Sequence, residues 1–157
     1  MSARNAPAAV RIAYWFWIVA IITALTELAA RFLSDPRGPM QALSESGTEL
    51  AVRTCAYVLL FSLATFMRRG SNVARHLLTL IYGGLGTLSL ILEPIMWVAD
   101  GGDALSFISE AGLAMWSMII SRILHILAVW GGVIFAYRSD AGAYFRRAPT
   151  AQTARPR

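Results

Sequence analysis

The chain contains a single cysteine, two histidines and no lysine, so all 14 of its basic residues are arginines. One cysteine, Cys55, excludes an internal disulfide and a cysteine-based metal cluster. Cys55, His76 and His125 lie on three different apolar segments, without the spacing of a metal site. The signatures of serine hydrolases, phosphate-binding loops and dinucleotide-binding folds are also missing from the sequence. We therefore expect no cofactor and no enzymatic activity.

Charge is scarce as well. Charged residues make up 15% of the chain and hydrophobic residues 57%, and the mean hydropathy is +0.55. That is too much apolar surface for a soluble domain of this length. The net charge of +5 does not indicate a nucleic-acid-binding protein, because the arginines cluster at the ends of apolar segments. The composition predicts an integral membrane protein.

The apolar segment 116–137 is long enough to cross a hydrocarbon core of about 30 Å as a helix. It contains Arg122 and His125 well inside that length. A cation in lipid costs roughly 2.5–3.5 kcal/mol on insertion scales. We therefore expect Arg122 to face protein and to meet a carboxylate from another helix.

Four apolar segments separated by short polar turns predict an all-α membrane protein, with four transmembrane helices in an up-down bundle. The predicted spans are 12–33, 50–67, 77–99 and 114–137. Residues 40–49 and 104–111 are expected to form short surface helices. We predict one transmembrane domain over residues 1–148 and a disordered tail over residues 149–157.

The arginines predict the orientation of this bundle. They flank its N-terminal end, the turn between spans two and three, and the C-terminal tail, whereas the other two loops are mainly acidic. The positive-inside rule therefore predicts that both termini are cytoplasmic. Setting this topology is the simpler role of the arginines at that end. Contact with anionic lipid headgroups, at about 1 kcal/mol each, is the alternative for four of them: Arg68, Arg69, Arg75 and Arg138.

One charged residue on each span lies at a similar height, about 22–24 Å from the basic end at a rise of about 1.5 Å per helical residue. These residues are Glu27, Arg53, Glu93 and Arg122, and His125 lies one turn below Arg122. Two acids and two arginines predict a neutral polar layer inside the bundle. The pairs are either Glu27–Arg53 with Glu93–Arg122, or the swapped arrangement. The layer either locks helix register, which is the simpler role, or relays protons or ions through His125, or is completed by a partner protein.

Small and aromatic residues predict how the helices pack. Trp15 and Trp17, near the start of span one, are expected in an interfacial aromatic belt. Small residues on spans three and four allow backbones to approach closely, within the bundle or against a partner helix. These residues are Gly83, Gly84, Gly86, Ala128, Gly131 and Gly132.

Three short blocks resemble a family of small four-span actinobacterial membrane proteins, mostly of unassigned function. The blocks are residues 14–17, residues 67–75 leading into 77–79, and residues 137–138 followed by 143–145. The family pattern has Arg-Gly-Arg-Asn-Trp-Ala-Arg in the second block and proline after Tyr-Arg in the last. This chain departs from that pattern at Ser71, Val73 and Ser139. The resemblance covers the whole order of spans, but its motifs are short and lie at membrane boundaries.

The resemblance implies a bacterial inner-membrane protein. Some similar small proteins look like accessory subunits of large envelope machines, including mammalian-cell-entry lipid importers. With four spans, short loops and no recognisable catalytic set, we expect a non-catalytic accessory or regulatory subunit of a larger inner-membrane complex, with lipid transport as the suggested process. Its expected partners are membrane lipids and other membrane-protein subunits. The alternative is a small proton- or ion-linked transporter or channel that uses the charge layer.

Overall fold

The computed structural model describes residues 6–33, 36, 38–109 and 112–147, and every regular element in that part is a helix. Four of these helices are long and apolar enough to cross a membrane. They are span one (Ala8–Leu33), span two (Pro39–Arg68), span three (Asn72–Ala99) and span four (Leu113–Ala136). The all-α, four-span fold class predicted from the sequence is confirmed. The predicted disordered tail lies outside the described residues.

A short helical segment precedes span two. Residues 40–49 were expected to form a separate surface helix, and the helical segment Pro39–Arg68 is interrupted by a kink at Ser46, whose backbone is not helical (φ −108°, ψ 15°). Pro39 occupies a first-turn position, where its missing N–H group is not needed. Gly38, just before it, has a φ of 91°, which favours glycine. A short helical segment therefore lies before the kink, as predicted, although it joins span two directly.

A tight turn joins spans two and three at the basic end. Gly70 has a φ of 100°, and its N–H donates to the Met67 carbonyl at 2.9 Å. Span three then begins with a side-chain cap, because the Ser71 hydroxyl accepts a hydrogen bond from the Ala74 N–H at 3.3 Å. This turn fixes spans two and three as antiparallel neighbours.

Span three is not a uniform α-helix. Residues Thr79–Gly86 form a π-helix, in which hydrogen bonds run five residues back along the chain. Gly86 suits this wider turn, because a Cβ there would lie 3.3 Å from the Ile81 carbonyl. The Thr87 hydroxyl donates to the Tyr82 carbonyl at 3.4 Å. The π-helix rotates and widens span three at the point where it passes span four.

The core lies in the half of the bundle nearest the basic end, which we call the basic half. Glycines of span four pack there on aromatic rings of span one. A Cβ at Gly131 would lie 2.8 Å from the Phe16 ring, and one at Gly132 would lie 2.9 Å from the Trp17 ring. Trp17 is only 1% exposed, so its predicted place in an interfacial belt is wrong, whereas Trp15 is exposed. The other large, fully buried side chains are Val10, Met67, Leu78 and Val129.

A C-terminal helix, Ser139–Arg147, closes the basic end. Its Ala141 and Phe145 side chains are buried against the bundle core. The Tyr144 hydroxyl donates to the Arg68 carbonyl at 3.2 Å, at the end of span two. This amphipathic helix is therefore packed under the four spans and forms part of the domain.

The opposite half of the bundle, which we call the open half, is loosely packed. Every residue of span three from position 91 to position 99 is exposed, and so are residues 51–56 of span two. Most of these side chains are apolar. In a membrane, such surfaces contact lipid or a partner protein.

Candidate functional site: an intramembrane charge cluster

Charged residues from three spans meet in the open half. The Arg122 Nε atom lies 3.4 Å from Glu27 Oε1 of span one, and Arg122 Nη1 lies 3.4 Å from Glu93 Oε2 of span three. We call Glu27, Arg122 and Glu93 the charge cluster. Sequence reasoning left open which acid meets Arg122. In the structure a single guanidinium contacts both.

The two ion pairs are loose, and one member of the cluster is open to its surroundings. Both contacts are longer than the roughly 2.7–2.9 Å of a strong charge-assisted hydrogen bond. The Glu93 side chain is 74% exposed, against 33% for Glu27 and 29% for Arg122. Glu93 can therefore accept further hydrogen bonds from a donor outside the bundle.

Arg53 does not join the charge cluster. Its Nε atom lies 2.8 Å from Glu49 Oε1, one turn earlier on the same helix. The predicted layer of two acids and two arginines is corrected accordingly. Glu49 reaches Arg53 at i, i+4 without another helix, whereas span two is exposed at this height.

His125 lies below the charge cluster and is buried, with 8% exposure. Its Nδ1 atom lies 3.2 Å from the Thr23 hydroxyl oxygen, and its ring stacks on Tyr82 at a centroid distance of 5.5 Å. The Thr23 hydroxyl already donates to the Ala20 carbonyl at 2.9 Å. A hydroxyl has one hydrogen, so we assign His125 Nδ1–H as the donor to Thr23. His125 thus connects spans one, three and four.

Sequence reasoning missed Thr23 and Tyr82 as neighbours of His125. Thr23 could have been found, because it precedes Glu27 by one helical turn and so shares its face. Tyr82 gives no such signal, because its direction depends on the π-helix. The Tyr82 hydroxyl and the Trp17 Nε1 atom are both buried without a hydrogen-bond partner among the described residues.

The small residues fall into two groups. Gly131 and Gly132 contact span one, Ala128 is buried, and a Cβ at Gly83 would lie 3.2 Å from Val133 Cγ2 of span four. The nearest atoms to Gly84 and Gly86 instead belong to span three itself. Their expected contact with another helix is therefore absent from the described part of the chain. Gly86 avoids a close contact with the Ile81 carbonyl in the π-helix, and Gly84 leaves space beside the Thr79 carbonyl.

The arginines expected to contact lipid lie at the basic end, and aromatic rings hold three of them. The distances from guanidinium carbon to ring centroid are 5.0 Å for Arg68 over Tyr14, 4.5 Å and 4.6 Å for Arg75 over Tyr137 and Phe145, and 5.5 Å for Arg138 over Phe135. Arg68, Arg69 and Arg138 are exposed. Arg75 is half-buried between two rings.

The fold and the charge cluster define a class, a four-span helical membrane protein with an intramembrane Glu–Arg–Glu group. Within the described residues, no three His, Cys, Asp or Glu side chains are placed to hold a metal ion. Cys55 is exposed. The chain matches no family model, no curated protein and no solved structure.

Proposed function

We propose that this protein is a non-catalytic accessory subunit of a larger membrane complex and that it docks through the second half of span three. The observation that carries the proposal is Glu93, a carboxylate 74% exposed within a helix otherwise suited to lipid. Uncompensated polar and charged groups are expensive in hydrocarbon, and the only described ion pair of Glu93 is the loose contact with Arg122. A partner helix that presents a lysine or arginine would complete its coordination.

The surroundings of Glu93 suit such a helix. Its neighbours on span three are exposed and apolar, among them Ile91, Leu92, Ile95 and Met96. Pro94 has no N–H, so the carbonyl four residues earlier loses its intrahelical donor. Span three therefore has one backbone hydrogen bond fewer just before Glu93. One charged anchor within an apolar face is the pattern expected for specific pairing inside a membrane.

The orientation, the cellular membrane and the transport process in this proposal are supported by the sequence alone. The distribution of arginines supports a location with both termini in the cytoplasm. The resemblance to small actinobacterial proteins suggests a bacterial inner membrane and a complex that transports lipids, such as a mammalian-cell-entry importer.

The test is purification of the tagged full-length protein from its native membrane in mild detergent, followed by sizing and mass spectrometry. We expect a stoichiometric companion with a basic residue in a transmembrane segment. Glu93→Gln should lose this companion, and Asp100→Asn, which removes an exposed acid at the end of the same helix, should keep it. A clean monomer of the unmodified protein, or an unchanged complex for Glu93→Gln, would refute the proposal.

A second candidate, a proton- or ion-linked transporter, is favoured by Arg122 between two carboxylates with His125 one turn below. The basic half argues against a continuous path, because Val10, Trp17 and Val129 fill its core. The test is flux through the reconstituted protein between about pH 5 and pH 8, the range in which an ordinary histidine titrates. No flux at any pH in that range would remove this candidate.

A further inference from the structure

A groove on the outside of the basic half has no role in the proposed function. It has a volume of about 340 Å³ and lies between the first half of span three and the last turns of span four. Its lining residues are His76, Thr79, Leu80, Gly83, Gly84, Trp130, Val133 and Tyr137. Most of these side chains are apolar or absent, and the groove opens sideways, towards the membrane.

The groove exists because of the π-helix and its glycines. Gly83 brings span three within contact of Val133, and this contact forms the floor. Gly84 supplies no side chain to fill the space above, and the nearest atom to a Cβ there is the Thr79 carbonyl at 3.9 Å. The exposed side chains of Leu80 and Trp130 form the walls. An extended hydrocarbon chain can lie along this groove, in contact with Leu80 and Trp130.

One end of the groove is polar and positively charged. The His76 Nδ1 atom and the Tyr137 hydroxyl share a hydrogen bond of 2.7 Å there. The Arg75 guanidinium lies 4.5 Å from the Tyr137 ring centroid, and its buried Nε atom has no hydrogen-bond partner among the described residues. Arg138 follows Tyr137 in the chain, but its guanidinium lies over Phe135, away from the groove. Hydrogen-bonding groups and one cation, Arg75, therefore meet at this end of the groove, where a lipid headgroup would lie.

We propose that this groove binds one acyl chain of an anionic phospholipid, with the lipid phosphate at the His76–Tyr137 end. The apolar walls bind the chain, and Arg75 selects for negative charge. This site lies in the opposite half of the bundle from Glu93, so its test does not depend on the accessory-subunit proposal. A zwitterionic lipid is an outcome that the experiment can detect.

The experiment titrates delipidated full-length protein in detergent with phosphatidylglycerol or with phosphatidylcholine of the same acyl chains, and native mass spectrometry counts the bound lipid. Gly84→Leu fills the groove, and Gly47→Leu, a site with no atom within 4 Å of an added Cβ, is the matched control. We expect about fivefold tighter binding of phosphatidylglycerol, because one basic residue near the surface contributes about 1 kcal/mol. Gly84→Leu should lose that binding, and Gly47→Leu should keep it.

Further variants separate the headgroup from the chain and guard against misfolding. Arg75→Gln should reduce the preference for phosphatidylglycerol while leaving phosphatidylcholine binding unchanged, and Arg138→Gln, whose guanidinium lies over Phe135, should change neither. If Gly84→Leu fails to fold, phosphatidylglycerol with brominated chains provides the second readout. It should quench the fluorescence of the unmodified protein more than that of Trp130→Phe. Equal binding of the two lipids, unchanged binding by folded Gly84→Leu, or equal quenching of the two proteins would overturn the proposal.

Discussion

Replacing Arg122 by leucine tests whether the charge cluster holds the helices together. Arg122 is the one described cation that Glu27 and Glu93 both contact, so its loss leaves two carboxylates in the open half without that counter-charge. We expect a large loss of stability, because removing one partner of a desolvated ion pair leaves an uncompensated charge.

The geometry predicts a loss of stability somewhat smaller than that for a fully buried pair. Breaking a fully buried pair costs about 3–5 kcal/mol. Both contacts here are 3.4 Å, and the Glu93 side chain is 74% exposed. We therefore expect Arg122→Leu to reduce the free energy of unfolding by about 2–3 kcal/mol, towards the value for a less desolvated pair. Thermal unfolding of the detergent-solubilised protein, followed by circular dichroism, measures the change.

A compensated variant distinguishes lost charge balance from lost packing. Arg122→Leu combined with Glu27→Gln and Glu93→Gln removes all three charges while keeping similar side-chain volumes. It should recover most of the stability, with a coupling energy of about 1–3 kcal/mol. If Arg122→Leu alone unfolds at the temperature of the unmodified protein, the ion pairs do not stabilise the fold. Normal folding with lost proton conductance would instead support the transporter candidate.

Three further substitutions test the packing of the basic half by thermal unfolding in detergent. Gly132→Ala should cost about 1–3 kcal/mol, because its Cβ would lie 2.9 Å from the buried Trp17 ring, whereas Gly84→Ala has open space and should change little. Equal melting temperatures for these two variants would contradict the packing assigned to span four. Tyr144→Phe removes the hydrogen bond to the end of span two and should cost about 0.5–1.5 kcal/mol, and no change would show that the C-terminal helix is held by apolar contacts alone. Ser71→Ala removes the cap of span three and should cost about 0.5–2 kcal/mol, which Ser71→Asp should largely avoid if the cap acts through its side-chain oxygen.

The number and class of the helices were predictable from the sequence, because crossing a membrane imposes a length and an apolar composition that a linear scan detects. The same cost argument singled out Arg122 as a cation that must meet an acid. A fixed rise per residue also made Glu27 and Glu93 candidates for that acid, and both contact Arg122 in the structure.

The azimuth of each side chain was decided only by the tertiary structure. Arg53 lies at a suitable height, but it pairs with Glu49 on its own helix, since span two does not approach the charge cluster closely. The π-helix turns Tyr82 towards His125, and no periodicity in the sequence encodes that rotation. Trp17 is buried because Gly132 of span four, which is far away in the sequence, leaves room for its ring. The height of a residue depends on its own helix, whereas the direction and contacts of its side chain depend on how several helices pack. The sequence by itself therefore determined the membrane spans, and the three-dimensional packing decided which charges meet.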